Sequence, residues 1–97
     1  MYLNKLNIGL LGYGTVGQAL HRLLNTSNSA HHVIAILRRS GKSGPQMTSQ
    51  VDDIVLNPKI DCVVELVGGI EPAYTYIQAA LKQGKHVITA NKALLNL

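Results

Sequence analysis

Apolar residues along this chain come in short runs separated by glycine-rich or polar breaks. The first run, Asn7 to Leu11, leads into G-x-G-x-x-G, with Gly12, Gly14 and Gly17 at the three fixed positions. Beyond it Val16, Ala19, Leu20, Leu23 and Leu24 recur at helical spacing, which predicts a helix from Thr15 to about Asn25 with one apolar face. Thr26 to Ser29 is a polar turn. Val33 to Leu37 is a second apolar run, of the kind that a parallel strand buried on both faces requires. Arg38 to Ser49 reads as a basic, glycine- and serine-rich loop, and Val51 to Leu56 as a short helix closed by Asn57-Pro58. Cys62 to Val67 is the third strand, broken by Gly68-Gly69. Glu71-Pro72 opens a further helix, with proline where its missing N–H costs little and Gly84 as the stop. His86 to Thr89 is the fourth strand, and a last helix begins near Asn91.

Alternating strands and helices predict an α/β fold with a parallel sheet. The glycine turn makes that sheet a doubly wound, Rossmann-type one, partial here at about four strands with flanking helices. Each glycine in the motif has its own task. Gly12 permits the tight turn, Gly14 lets a pyrophosphate approach the backbone, and Gly17 lets the helix pack on the strand. Free N–H groups at the helix N-terminus then face the phosphates. A three-glycine match also occurs in ordinary tight turns; an apolar strand before it and an amphipathic helix after it favour dinucleotide binding.

The 97 residues are enough for one small domain, and 46% apolar content is enough for a core. Two complete βαβαβ halves need more chain, so residues 1–97 are expected to be an incomplete cofactor domain, without the catalytic domain. The net charge of +4 comes from scattered bases, and the four aromatic residues are all Tyr without a stacking pattern, which argues against nucleic acid. The first residues run directly into a strand with neither signal peptide nor membrane span, so a cytoplasmic protein is expected. Cys62, inside an apolar run, reads as a buried thiol. Adjacent His31 and His32 point to opposite faces of a strand, and no metal site is expected. His86 reads as a packed strand residue, and Tyr74 and Tyr76 as helix-surface or interface residues.

Charge does change the choice of cofactor. Sites for NAD place Asp or Glu at the end of the second strand, on the ribose 2′-hydroxyl. This chain has no acidic residue before Asp52 and carries Arg38, Arg39 and Ser40 at that strand end. A guanidinium gives a phosphate bidentate, charge-assisted bonds, so NADP is favoured over NAD, with Arg38 foremost. The alternative is an ordinary solvated loop. At the fourth strand end, Lys92 could polarise a carbonyl or assist proton transfer; spacing alone leaves open a surface lysine.

The segments GLLGYGTVG, VVELVGGIEPA and ALKQGKHVITANKALL together resemble the N-terminal part of homoserine dehydrogenase, over essentially the whole chain. Asn91 and Ala93 stand where the glucose-fructose oxidoreductase-like family typically has glutamate and proline. The resemblance implies reversible interconversion of aspartate 4-semialdehyde and homoserine with NAD(P), on the route to threonine and methionine. It implies cofactor contacts at Tyr13, Thr15, Val16, Gly68 and Lys92, with Thr89 as a further backbone contact. Arg38 takes the family's 2′-phosphate contact, and Lys92 matches an active-site lysine. Glu65 matches the family's third strand and is read as structural. A homodimer is implied for the full-length protein, and this chain alone is expected to be inactive. Two rivals stand beside this reading: another NADP oxidoreductase of similar build, and a non-catalytic module that senses nicotinamide cofactors.

Overall fold

The computed structural model describes residues 5–26, 30–38, 44 and 46–95. Its elements are β1 (Asn7–Leu11), α1 (Thr15–Thr26), β2 (His32–Leu37), β3 (Met47–Thr48), α2 (Asp52–Val55), β4 (Cys62–Glu65), α3 (Ala73–Lys82), β5 (His86–Thr89) and α4 (Lys92–Leu95). Among the described residues five strands form one sheet in the order β3-β2-β1-β4-β5. All its pairings are parallel. The chain builds outward from β1 to β3, then crosses back to add β4 and β5 on the other side. That reversal leaves a crevice beyond the carboxyl ends of β1, β2 and β4, where open α/β sheets take ligands.

The sheet is buried on both faces at β1, β2 and β4, which is why those strands read as largely apolar runs. One face packs Leu11, Leu37 and Val63 against Ile54 and Val55 of α2 and Ala80 of α3. The other packs Ile8, Leu10, Val33, Ile36, Cys62 and Val64 beneath Leu20 and Leu24 of α1. The apolar face expected on α1 is therefore used only in part. Gly17, Leu20 and Leu24 look inward, whereas Val16 and Leu23 are 65% and 63% exposed and Ala19 is exposed too. At 3.6 residues per turn, these three lie about a quarter turn away from the line of contact.

Four further differences from the sequence reading have physical causes. The segment read as a loop from Arg38 to Ser49 contains β3, whose two residues are too few to show a period. Hydrogen bonds from Ile36 N–H to Gln46 O and from Arg38 N–H to Thr48 O, both 2.8 Å, hold it to β2. The strand expected to reach Val67 ends at Glu65, because the Glu65 carboxylate captures the N–H groups of Val67 and Gly68. Pro72 stands just before α3 and not in its first turn; the Glu71 carboxylate accepts the Thr75 N–H at 2.9 Å. His86 is exposed and not packed, since it stands on the α1 side of β5, beyond the reach of α1, as does Ile88 at 57% exposure.

Gly84 follows α3 with φ +76°, the left-handed stop its position demands. Next to it Lys85 is buried, and its ammonium donates to Asn57 O at 2.6 Å and Ile60 O at 2.8 Å. Tyr74 is exposed as expected, while Tyr76 is half-buried against the core. His31 Nδ1 accepts the Leu6 N–H at 2.9 Å, and His32 is exposed. No helix among the described residues is long and apolar enough to cross a membrane.

Cys62 is buried at the start of β4. Burial pushes its thiol up from the ordinary range, and the negative charge of Asp61 adds to the rise. The folded state thus holds that proton more tightly than the unfolded chain, a contribution to stability that is lost as pH climbs through the alkaline range. At neutral pH a disulfide-exchange reagent is expected to label Cys62 slowly in the native protein and rapidly after denaturation. Native labelling as fast as denatured labelling would contradict this placement.

Candidate functional site

Most of the residues that the sequence placed at the carboxyl edge surround the turn between β1 and α1. Gly12 leaves β1 with φ +117°, a conformation that disfavours any side chain, and a Cβ there would lie 3.1 Å from Leu66 O. Gly17 sits where α1 presses on that turn: a Cβ would stand 2.9 Å from Gly12 O and 3.3 Å from Leu66 Cδ1. Around Gly14 nothing lies within 4 Å of the place a Cβ would take, so its backbone is open to an approaching ligand. The first α1 hydrogen bond runs from Gln18 N–H to Gly14 O, leaving the N–H groups before Gln18 outside the helical ladder.

Cavities lie on both sides of Gly14. One, of about 420 Å³, is bounded by Gly12, Tyr13, Leu37, Arg38, Leu66 and Val67 as well as Gly14. Tyr13 is held there from two directions. Its hydroxyl is 2.8 Å from His21 Nδ1, with the two rings edge to face, and the Arg38 guanidinium lies 5.7 Å from its ring centroid. Arg38 is fixed by its own N–H bond to β3, and its Nη1 lies 3.9 Å from Met47 Sδ. Among the described residues no carboxylate lines this cavity. Arg39 and Ser40, expected beside Arg38, lie outside the described residues.

The second cavity, of about 330 Å³, is bounded by Thr15, Val16 and Gly17 on one side and by Glu65, Gly68 and Asn91 on the other. Of the residues expected to meet the cofactor, Gly12, Tyr13, Gly14, Thr15, Val16, Gly17, Arg38 and Gly68 all line one cavity or the other. Thr89 lines neither; its hydroxyl points to Glu65 at 2.6 Å. Lys92 is exposed at the first position of α4, directly after Asn91, which caps the helix through Oδ1 and the Ala93 N–H at 3.1 Å. His21 and Asn91 were not anticipated. His21 lies eight residues beyond Tyr13, across a turn that no helical spacing describes, and Asn91 had shown as a helix start and a family-distinguishing position, not as a site residue.

The residues present suit an elongated ligand with a phosphate bridge. An open backbone at Gly14 joins the two cavities, a helix N-terminus faces it, and a cation stands at one end. A sequence model described as the NAD-binding domain of homoserine dehydrogenase matches residues 12–96, nearly the whole chain. The chain belongs to the homoserine dehydrogenase family.

The homoserine dehydrogenase of Methylobacillus glycogenes is 40% identical over 108 residues, covering 96% of this chain and 26% of that protein. That of Lactococcus lactis is 37% identical over 106 residues, covering 92% and 25%. Among solved structures, the homoserine dehydrogenase of Thiobacillus denitrificans superposes with a TM-score of 0.86 at 35% identity, over 94% of this chain and 24% of that one. The Staphylococcus aureus enzyme at pH 8.5 does so with a TM-score of 0.79 at 38% identity, over 94% and 27%. This chain therefore spans about a quarter of the length of these homoserine dehydrogenases, and the matched part is their nicotinamide-cofactor domain.

Proposed function

We propose that residues 1–97 are the cofactor-binding part, without the catalytic domain, of an NADP-preferring homoserine dehydrogenase. The whole protein would be a cytoplasmic homodimer that interconverts L-aspartate 4-semialdehyde and L-homoserine in threonine and methionine biosynthesis. The observation that carries the preference is Arg38, held at the end of β2 over Tyr13, in a cavity with no carboxylate among its described lining residues. A carboxylate there would suit a ribose hydroxyl; a guanidinium suits a phosphate.

In this reading the turn from Gly12 to Gly17, with Thr15 and Val16, holds the pyrophosphate. Arg38, Arg39 and Ser40 donate to the 2′-phosphate, and Tyr13 walls the adenosine side. Gly68 borders the nicotinamide side. The nicotinamide, when bound, supplies or takes up the hydride. Lys92 is the catalytic residue: its ammonium polarises the aldehyde oxygen and stabilises the alkoxide as it develops, or relays its proton.

Calorimetric titration of the chain tests this directly. NADP⁺ is expected to bind at least about tenfold more tightly than NAD⁺, a difference of about 1.4 kcal/mol. Homoserine added to the NADP⁺ complex is expected to yield no NADPH. Equal affinities would overturn the NADP preference, and turnover by the chain alone would overturn the assignment of substrate binding to a further domain.

A further inference from the structure

Glu65 stands inside the apolar run of β4 and is only 2% exposed. A carboxylate so placed is costly unless its oxygens are filled. One oxygen accepts the N–H groups of Val67 at 2.8 Å and Gly68 at 3.1 Å. The other accepts the hydroxyl of Thr89, its register partner on β5, at 2.6 Å. With its proton spent on Glu65, Thr89 Oγ1 accepts the Asn91 N–H at 3.0 Å. The Asn91 side chain then donates back to Gly69 O at 2.6 Å. The circuit leaves the loop after β4, crosses to the loop after β5 and returns.

Packing holds Leu66 and Val67 of that loop but does little to hold the two glycines that follow. Gly68 and Gly69 have φ of +81° and +70°, and no atom lies within 4 Å of where a Cβ on either would stand. The hydrogen bonds are what fix that part, and the loop forms the wall of the smaller cavity opposite α1. We infer that Glu65, Thr89 and Asn91 are positioning residues, which set the nicotinamide-side wall and the start of α4, and with it Lys92, at a fixed separation. This rests on the cofactor reading above and adds to it a specific device. Glu65 acts through Thr89 and Asn91, and its charge strengthens each link it accepts.

The test uses two probes on the 97-residue chain: 2′,5′-ADP, which reports the adenosine side, and NADPH, whose nicotinamide fluorescence reports the other. Thr89→Val keeps the shape of the side chain and removes the hydroxyl that joins Glu65 to Asn91. NADPH affinity is expected to fall about tenfold, the scale of a lost hydrogen bond to a charged group, with the change in nicotinamide emission abolished. Affinity for 2′,5′-ADP stays within about twofold in the same variant, since the adenosine-side cavity meets the circuit only at Val67, whose N–H stays on Glu65. Thr89→Ser restores both NADPH signals. Asn91→Ala, at the rim and outside the core, reproduces the Thr89→Val pattern. Unchanged NADPH binding in the valine variant overturns the inference. So does a matched loss of both probes that serine fails to restore. A parent chain that binds neither probe overturns the dinucleotide reading itself, which separates the two failures.

Discussion

Arg38→Ala is expected to erase the discrimination between NADP⁺ and NAD⁺ by lowering NADP⁺ affinity alone. The loss is about 1.5–3 kcal/mol, the range for a hydrogen bond to a charged group, or about ten- to a hundredfold in Kd. NAD⁺ has no 2′-phosphate, and its affinity is expected to change less than about twofold. The site makes this a clean subtraction. The position of Arg38 is fixed by its backbone, through the N–H bond to Thr48 O, and alanine keeps that bond. The half-buried guanidinium lies over Tyr13, whose hydroxyl stays anchored on His21 without it. Because phosphate recognition of this kind is screened by salt, the NADP⁺ preference of the parent should also shrink as ionic strength rises, while the variant stays flat. Calorimetry in two salt concentrations reads both effects. A variant that retains its NADP⁺ preference would make Arg38 a solvated charge and would move the phosphate contact to another group.

The strength of that prediction depends on β3, which the sequence did not reveal. Two residues cannot show alternation, and Met47-Thr48 lies beyond a stretch rich in glycine and serine. Its contribution is nonetheless specific, since it fastens the backbone of the residue expected to read the phosphate. β1, β2 and β4 were legible because parallel strands buried on both faces demand mostly apolar residues, and these runs are bounded by glycine or polar breaks. The glycine fingerprint was legible because its physics is local: a positive φ at Gly12 and a close approach at Gly17 fall within one turn of chain.

What stayed hidden was whatever depends on register between distant strands. Glu65 in an apolar run was a visible anomaly, but Thr89 became its partner only once β4 and β5 were aligned. Lys85 follows a helix stop, and nothing near it in sequence marks it as buried. It is buried because the turn following α2 brings the carbonyls of Asn57 and Ile60 to its ammonium, 28 and 25 residues away in sequence. The exposed side of α1 misled for a related reason. Helical spacing identifies an apolar face, and the sheet beneath decides which part of that face is covered.

A pair of substitutions separates a ligand-binding turn from a tight turn that merely looks like one. Gly14→Ala is expected to leave stability intact or raise it by about 0.4–1 kcal/mol, because no atom lies within 4 Å of the new methyl and the unfolded chain loses freedom. The same methyl would stand in the opening between the two cavities, and dinucleotide affinity is expected to fall at least about a hundredfold, about 2.7 kcal/mol. Gly17→Ala is expected to behave in the opposite way toward stability. Alanine favours the helix by about 0.8–1.0 kcal/mol. Its methyl, however, would meet Gly12 O at 2.9 Å, a backbone atom that yields only if α1 lifts from β1. Overpacking of that kind costs about 1–3 kcal/mol, so a net destabilisation of up to about 2 kcal/mol is expected, with binding lost alongside. Urea denaturation read against NADP⁺ titration distinguishes the outcomes. If Gly14→Ala binds as the parent does, the open backbone at that position has no ligand to admit, and the turn is only a way of joining a strand to a helix.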